Sequence, residues 1–526
     1  MIKSLFLGAA ALALSAPAYG QSMPGMTMPM PAKPAAKAKA PAKKPAPSKK
    51  APAAAKHRPA KAAATPAPPP REPATIDHST MDHGAMPMPV ETPPVTAPIA
   101  PLDHSQMDHG TTDQAPMPGM DQPASAGGPQ PAMVGMDHGG LMAMTGVLGP
   151  YPAERESSGT AWQPDASTHT GLMSQYGDWM LMGHGVLNLV YDHQSGPRGD
   201  SKAFVSGMLM GMAQRPLGNG TLQFKAMLSP DPLMGKRGYP LLLASGETAN
   251  GTDRLIDRQH PHDLFMELSG SVSQNLGSKS SVFIYAGLPG EPAFGPPAFM
   301  HREAIMDSPE APISHHWLDS THISFGVLTA GVVIDRVKLE VSRFNGREPD
   351  QHRWNIETGP LDSTSVRLSW NPSANLALQG SWGHFTDPEQ LEPGVDQKRW
   401  SASVLYARDL SPDWKLAGTL AWGRKTIEGQ SDDAFALEAS AKHRAWTVFV
   451  RGELAENREL LDLEHGPSFR VGKVSIGAVR YFAIAKHLSL GLGGLVSVNF
   501  VPDGLAPLYG GHNPMGAMGF ARLKLN

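Results

Sequence analysis

Val337-Lys338-Leu339-Glu340-Val341-Ser342 alternates apolar and polar at every residue. In an extended chain this period of two puts Val337, Leu339 and Val341 on one face and Lys338, Glu340 and Ser342 on the other. The same period recurs from about residue 175 onward, in Leu264/Met266/Leu268, Trp400/Ala402/Val404/Tyr406, Trp414/Leu416/Gly418/Leu420/Trp422 and Trp446/Val448/Val450. Trp and Tyr gather near the ends of these runs, as in the aromatic girdles of membrane barrels.

Sixteen such runs start near residues 179, 203, 221, 262, 280, 320, 336, 363, 375, 398, 413, 433, 445, 470, 487 and 515. The connections after even-numbered runs are short, as at Asn371-Pro372-Ser373-Ala374, Leu410-Ser411-Pro412 and His443-Arg444. The longest of the others, about 230–260 and 289–318, are rich in Pro, Gly and charge. Short turns at one end and long loops at the other predict an all-β, antiparallel outer-membrane β-barrel over 175–526. About 16 strands are expected, 12–14 being the smaller counts considered. An even count leaves both barrel ends in the periplasm and sends the long loops outward. No stretch has 18 consecutive apolar residues, so a helical span is excluded.

Ahead of the barrel the composition changes twice. Lys3, the apolar run Leu5 to Ala16 and the small residues of Ala18-Tyr19-Gly20 predict an export signal over 1–20, cut before Gln21. Residues 21–75 carry eleven Lys or Arg and one acid, and 31–70 are almost wholly Pro, Ala and Lys. Such a segment buries no core and samples extended conformations, with a reach of about 120 Å for forty residues. Its lysines (Lys43, Lys44, Lys49, Lys50) suit an acidic surface such as peptidoglycan; the plainer reading is a solvated linker.

Residues 76–150 carry eight acids and no Lys or Arg, and hold an internal repeat. Asp77-His78-Ser79-Thr80-Met81-Asp82-His83-Gly84 returns as Asp103-His104-Ser105-Gln106-Met107-Asp108-His109-Gly110, with a partial copy at Met136-Asp137-His138-Gly139. Met86-Pro87-Met88 and Met117-Pro118-Gly119-Met120 lie between the copies. Fourteen of the chain's 28 Met fall between residues 23 and 144, where no core exists to use them. Thioether sulfur suits Cu(I), and imidazole suits Cu(II) and related ions. With no Cys in the chain, this donor set fits copper in an oxidising compartment. The candidate ligands in this disordered arm are His78, Met81, His83, Met86, Met88, His104, Met107, His109, Met117, Met120, Met136 and His138.

Signal, Met/His/Asp repeats and barrel together resemble copper resistance protein B, a family of Gram-negative outer-membrane proteins. The specific overlap is the Asp-His-Ser-x-Met-Asp-His-Gly units of residues 77–144. The resemblance implies periplasmic copper tolerance by binding or export, with copper as cargo. It also implies outer-membrane lipid and a periplasmic copper oxidase or chaperone as partners. A general porin or receptor, and an outer-membrane hydrolase, are the alternatives.

Three clusters in the body could carry chemistry. Asp257-Arg258-Gln259-His260-Pro261-His262-Asp263 sets His260 and His262 two apart, on one face of an extended chain. Ile313-Ser314-His315-His316-Trp317-Leu318-Asp319, followed by Thr321-His322, offers His316 and His322. If Ile323, Phe325 and Val327 face lipid, His322 and Ser324 face the lumen, and the two clusters converge at the long-loop rim as a metal site. Met180, Met182 and His184, with Met208, Met210 and Met212, form a soft ladder if they face the lumen. They are merely apolar if they face lipid, as the small alternates Gly207 and Gly211 suggest. No Walker, Rossmann or G-x-S-x-G spacing occurs, so no catalytic residues are assigned and a non-enzyme is expected. The net charge of -3 does not suggest a nucleic-acid partner.

A peptide spanning 77–120 is expected to bind Cu(I) through sulfur and Cu(II) through imidazole. Replacing Met81, Met86, Met88, Met107, Met117 and Met120 by Leu should weaken Cu(I) far more than Cu(II) in competition titrations. Equal loss of both ions would contradict the assignment.

Overall fold

A computed structural model of the chain describes residues 144–526 except 169, 464–465 and 526. The signal, the linker and the arm ligands His78 to His138 lie outside the described residues. The strands are β1 (Leu172–Tyr176), β2 (Trp179–Gln194), β3 (Ser201–Leu217), β4 (Gly220–Leu228), β5 (Tyr239–Thr248), β6 (Arg254–Gln259), β7 (Phe265–Gly277) and β8 (Ser280–Gly287). There follow β9 (Val327–Ile334), β10 (Val337–Phe344), β11 (Ser363–Ser373), β12 (Leu376–Phe385), β13 (Gln397–Ser411) and β14 (Trp414–Ile427). The last are β15 (Gln430–His443), β16 (Trp446–Asn457), β17 (Phe469–Ala485), β18 (Leu488–Phe500) and β19 (Met515–Leu525).

Sixteen of these close a barrel. β2, β3, β4 and β7 through β19 pair antiparallel in that order, and β19 returns to β2 from Gly516↔Gln194 to Leu525↔Gly185. Closure gives every strand two partners, which is what allows a sheet to cross lipid without an exposed edge. β1 pairs with the start of β2, Leu172↔Gly183 to Tyr176↔Trp179, and so takes up the β2 edge just where β19 ends. β5 and β6 form a separate hairpin within the long connection from β4 to β7.

The side-chain pattern is inverted relative to a water-soluble protein. In β10, Val337, Leu339 and Val341 are 40–45% exposed, whereas Lys338, Glu340 and Ser342 are fully buried. The other strands repeat this, with Leu189, Ile284, Leu368, Leu420, Leu437 and Ile476 outward and Arg367, Arg399, Glu438, Arg451, Lys473 and Arg522 inward. Exposed Trp370, Trp414 and Trp446 lie at the short-turn ends of their strands, and Trp400 lies near the opposite end. An apolar outer band between aromatic girdles belongs in hydrocarbon, and the protein is an outer-membrane barrel. No helix among the described residues is long and apolar enough to span a membrane; the crossing is made by strands.

Three expectations change. β9 begins at Val327, not near 320, and Val327 is buried on the inner face. The lipid-facing set is therefore Leu328, Ala330 and Val332, while Ile323 and Phe325 are buried in the preceding connection. Second, the connections 229–264 and 288–326 start at the long-loop end but fold inward. Arg302 makes a bidentate pair with Glu438, both distances 2.7 Å, and a 2.5 Å bond to Asp319. Glu310 bonds to Arg451 and Lys473 of the wall, and Ser314 donates to Glu453. Third, Met144–Thr168 occupies the short-turn half of the lumen, although its first residues have the arm's composition. Ser273 and Ser281 donate to the carbonyls of Val147 and Leu148, and Asn371 and Lys415 to those of Gln163 and Ala166. The two inward segments meet where the Ala298 amide donates to Ser158 and where Thr168 donates to Glu303.

Ser308 is buried, so Ser308→Cys should resist an impermeant maleimide on intact cells. Glu428→Cys, exposed in the β14–β15 turn, should react there. Ser411→Cys, exposed at the opposite end, should react only after the outer membrane is permeabilised. Reversal of the last two would invert the barrel.

Candidate functional site

Two groups of metal-type donors lie within the barrel. The first is on the wall. Residues of even number in β2 and β3 point inward, so Met180, Met182, His184, Met208, Met210 and Met212 face the lumen while Leu181, Leu187, Leu189 and Leu209 face lipid. Register sets Met182 opposite Met212, His184 opposite Met210, and Met210 opposite Met227 of β4. Side chains directly opposite one another in a sheet lie within contact distance. The amide of Gln223 donates to the Met212 sulfur at 3.9 Å, and that of Gln214 to the Met180 sulfur at 3.7 Å.

This wall borders a cavity of about 390 Å³, closed on its other sides by Met144 and Thr168 of the N-terminal segment and by His301, Glu303 and Met306 of the 288–326 connection. Met173 of β1 also lines it. Of the two orientations open from sequence, the lumen-facing one holds. The small alternates are on the outer face; Gly207 is required there because it lies against the β2 backbone, where, with φ at +141°, a side chain would meet the Val186 carbonyl.

The second group is a histidine cluster. His260 and His262 follow β6; His315 and His316 lie on a short helix, α1 (His315–Leu318); His322 ends the turn after it. Ring centroids are 5.6 Å apart for His260 and His316, 5.1 Å for His262 and His322, and 5.3 Å for His315 and His322. The four histidines singled out from sequence thus do come together. His315, named in its run but not chosen as a ligand, joins them. Asp319, four residues on, was the available signal, since i and i+4 share a helix face, and it accepts from His315 Nδ1 at 2.8 Å. Gly246 (φ +113°) lets β5 pass the His316 ring, where a Cβ would come within 2.8 Å.

The ring partners sort the cluster. His260 Nε2 lies 3.1 Å from Glu247, and His316 Nδ1 lies 3.4 Å from Glu348. His262 Nδ1 is held by Asp231 at 2.9 Å, and His322 Nδ1 donates to the Asp319 carbonyl at 2.7 Å. The Nε2 atoms of His262 and His322 are buried and have no partner. The remaining acids of the first sequence cluster are structural. Asp257 accepts from the Leu243 amide and Tyr509, and Asp263 pairs with Arg353. No three His, Asp or Glu side chains among the described residues are set around one point as a metal would need.

Burial lowers the proton affinity of His260, and the Arg353 charge and neighbouring rings add to it. Burial does the same to His322, with His262 and His315 beside it, and to His315, against the pull of Asp319. For His316 burial is outweighed by Glu348, which raises its affinity. Glu247 is pushed up to about 7 by burial, against Arg353.

No family model and no curated protein matches the chain. Solved structures of similar fold include the Salmonella typhi OmpF complex with daunomycin, at 11% identity and a TM-score of 0.44, covering 67% of this chain and all of that one. The anion-selective porin from Comamonas acidovorans is similar at 13% identity and a TM-score of 0.37, covering 66% of this chain and all of that one. The outer-membrane expressed OmpT of Vibrio cholerae is similar at 8% identity and a TM-score of 0.38, covering 67% and 100%.

Three cluster histidines with lowered native affinity bind fewer protons in the folded than in the unfolded chain below about pH 6.5. Stability of the inward connections should then fall as pH drops from about 6.5 toward those lowered values. His316 works in the opposite sense: its stabilisation is present below about pH 6.5 and is lost as pH rises through its raised value. In chelator-treated protein, amides of 300–322 should exchange faster at pH 5.0 than at 7.5 after correction for intrinsic rates. A His260→Gln/His322→Gln variant should show a smaller difference. Equal protection at both pH values in the unsubstituted protein would contradict this.

Proposed function

We propose that this outer-membrane barrel handles copper: its Met/His arm captures the ion in the periplasm, and the barrel receives it for sequestration or export. The observation that carries the reading is the inner face of β2–β4. Lumen faces of membrane barrels are ordinarily polar, and most of this one is lined by Ser, Arg, Lys and Glu. On β2 and β3, instead, Met182, Met208, Met210 and Met212 stand together with His184 around one cavity, with Met227 of β4 opposite Met210. An apolar patch would serve equally well with Leu or Val. Thioethers beside imidazole add affinity for Cu(I).

The sequence supports the same direction. Met136-Asp137-His138-Gly139 precedes Met144 by only five residues, and Met144 lines the cavity. Tethering raises the effective concentration of captured ion for a site further along the same chain. In this reading the arm ligands His78, Met81, His83, Met86, Met88, His104, Met107, His109, Met117, Met120, Met136 and His138 form the capture set. A periplasmic copper oxidase or chaperone is the natural source or recipient, and the lysine-rich linker is suited to hold the arm near peptidoglycan. The role is binding and passage, without catalysis. A general diffusion pore is the weaker reading, because the 144–168 and 288–326 segments fill the lumen.

Met208→Leu, Met210→Leu and Met212→Leu conserve volume and apolarity. Together they should weaken Cu(I) binding at the barrel by at least about tenfold, roughly 1.4 kcal/mol, and lower copper tolerance of cells that depend on this protein. The folded barrel and its Cu(II) binding should be unaffected. Unchanged Cu(I) affinity and tolerance would overturn the reading.

A further inference from the structure

We infer that the buried Nε2 atoms of His262 and His322 form a low-coordinate Cu(I) site on the long-loop side of the Met cavity, the next station for the ion. The inference rests on the copper reading and extends it to a position that the arm and the Met wall do not include.

Three observations carry it. First, both rings are oriented as metal-binding imidazoles are, with Nδ1 engaged by an oxygen acceptor and Nε2 left bare. His262 Nδ1 is held by Asp231 at 2.9 Å and His322 Nδ1 by the Asp319 carbonyl at 2.7 Å. Leaving two buried ring nitrogens unsatisfied costs stability, a cost that a shared cation would remove. Second, the spacing fits. An ion about 2 Å from each of two imidazole nitrogens sets the ring centroids roughly 6 Å apart when the two bonds are collinear and roughly 5 Å apart when they bend toward a third donor; these are 5.1 Å apart. Third, the site adjoins the Met cavity. A smaller cavity of about 70 Å³ reaches His262 and is lined also by Met300, Met208 and Met306, and the last two also line the Met cavity.

The geometry also selects the ion. Zn(II) takes four ligands as a rule, and no cluster of three His or acids surrounds a point here. Monovalent copper accepts two or three donors, and two imidazoles with a nearby thioether supply them. His260 is left out because its Nε2 already lies 3.1 Å from Glu247, and His316 because its Nε2 is not one of the buried ring nitrogens without a partner. The two ligands come from different connections, 229–264 and 288–326, so the bound ion would also tie these inward segments together.

The test uses the full-length protein in detergent, with Cu(I) delivered from a chelator buffer and Ag(I) as a redox-inert probe. Wild type should show nitrogen as well as sulfur neighbours to copper in X-ray absorption. The His262→Gln/His322→Gln variant should lose one equivalent of Cu(I) and part of the nitrogen contribution, keeping the ions bound by the arm and the Met wall. Folding is checked by the heat-dependent gel mobility of closed barrels. Should the double variant not fold, Asp231→Asn keeps both rings and is expected to weaken the nitrogen-bound ion about 10–100-fold, as loss of an outer-shell acceptor does. Unchanged stoichiometry and nitrogen signal in the double variant, or an unchanged nitrogen-bound ion in Asp231→Asn, would overturn the site while leaving the copper reading intact. Absence of Cu(I) and Ag(I) binding by wild type would overturn both.

Discussion

A sheet that turns its apolar side chains to lipid must turn the other half of every strand inward, and those residues need partners. In this barrel the inner wall carries charges that water would have to solvate in an open pore. Here the chain itself supplies the counter-charges. Arg302 of the 288–326 connection sits fully buried between Glu438 and Asp319, and Glu310 sits between Arg451 and Lys473. Each charge taken out of water costs several kcal/mol, repaid only when geometry is good and the remaining valences are satisfied. The bidentate Arg302–Glu438 pair meets that condition. Removing one member would strand its partner in the same place, so wall and filling specify each other. The inward fold of the connections follows from the wall's composition.

This constraint also makes the Met face of β2–β4 informative. Elsewhere the wall meets the filling through ion pairs and hydroxyl–backbone bonds, such as Ser342 and Ser381 accepting from the amides of Ala293 and Gly295. Along Met182, Met208, Met210 and Met212 such polar matching gives way to an open cavity. Neither lipid contact nor charge neutralisation accounts for thioethers there. Part of the reason is packing, since Met208, Met210 and Met227 meet Met266, Ile323 and Phe325; on the proposed reading their polarisable sulfur would also serve the ion that the Met-Pro-Met and Met-Asp-His elements of the arm capture.

Much of the fold was legible from period and turn length. The strand starts read from sequence fall within a few residues of the observed ones, apart from β9, because register in a two-faced sheet is fixed residue by residue. The shift at β9 has a physical cause: Ile323 and Phe325 continue the apolar alternation but bury it against Met208, Met227 and Met266 inside the lumen, so the strand period alone cannot tell wall from filling. For the same reason the lumen occupancy of Met144–Thr168 and of the loop around Ser308 was not legible. Pro- and Gly-rich sequence marks a connection without saying which way it folds. At the site, the convergence of His260, His262, His316 and His322 was foreseeable from strand order. Which ring nitrogens would remain bare was not, since that depends on Asp231, Glu247, Glu348 and the Asp319 carbonyl, drawn from three separate connections.

The donors also change in character along the chain's path. The arm's sequence mixes thioether, imidazole and carboxylate; the soft donors on the β2–β3 side of the cavity are thioethers with one histidine on β2; the region beyond it is imidazole held by oxygen acceptors. A site that binds a soft ion only through sulfur retains it in competition with water and carboxylate, whereas imidazole is a borderline donor that also serves the oxidised ion. On the proposed reading, an ion passing from the Met cavity to the histidine cluster would exchange sulfur donors for nitrogen. Because the filling segments line both cavities, such passage would require no open channel, only exchange between neighbouring donors such as Met208 and Met306. The closed lumen and a transport role are in this way compatible: the residues that occlude the pore to general solutes are those that would hand on the ion.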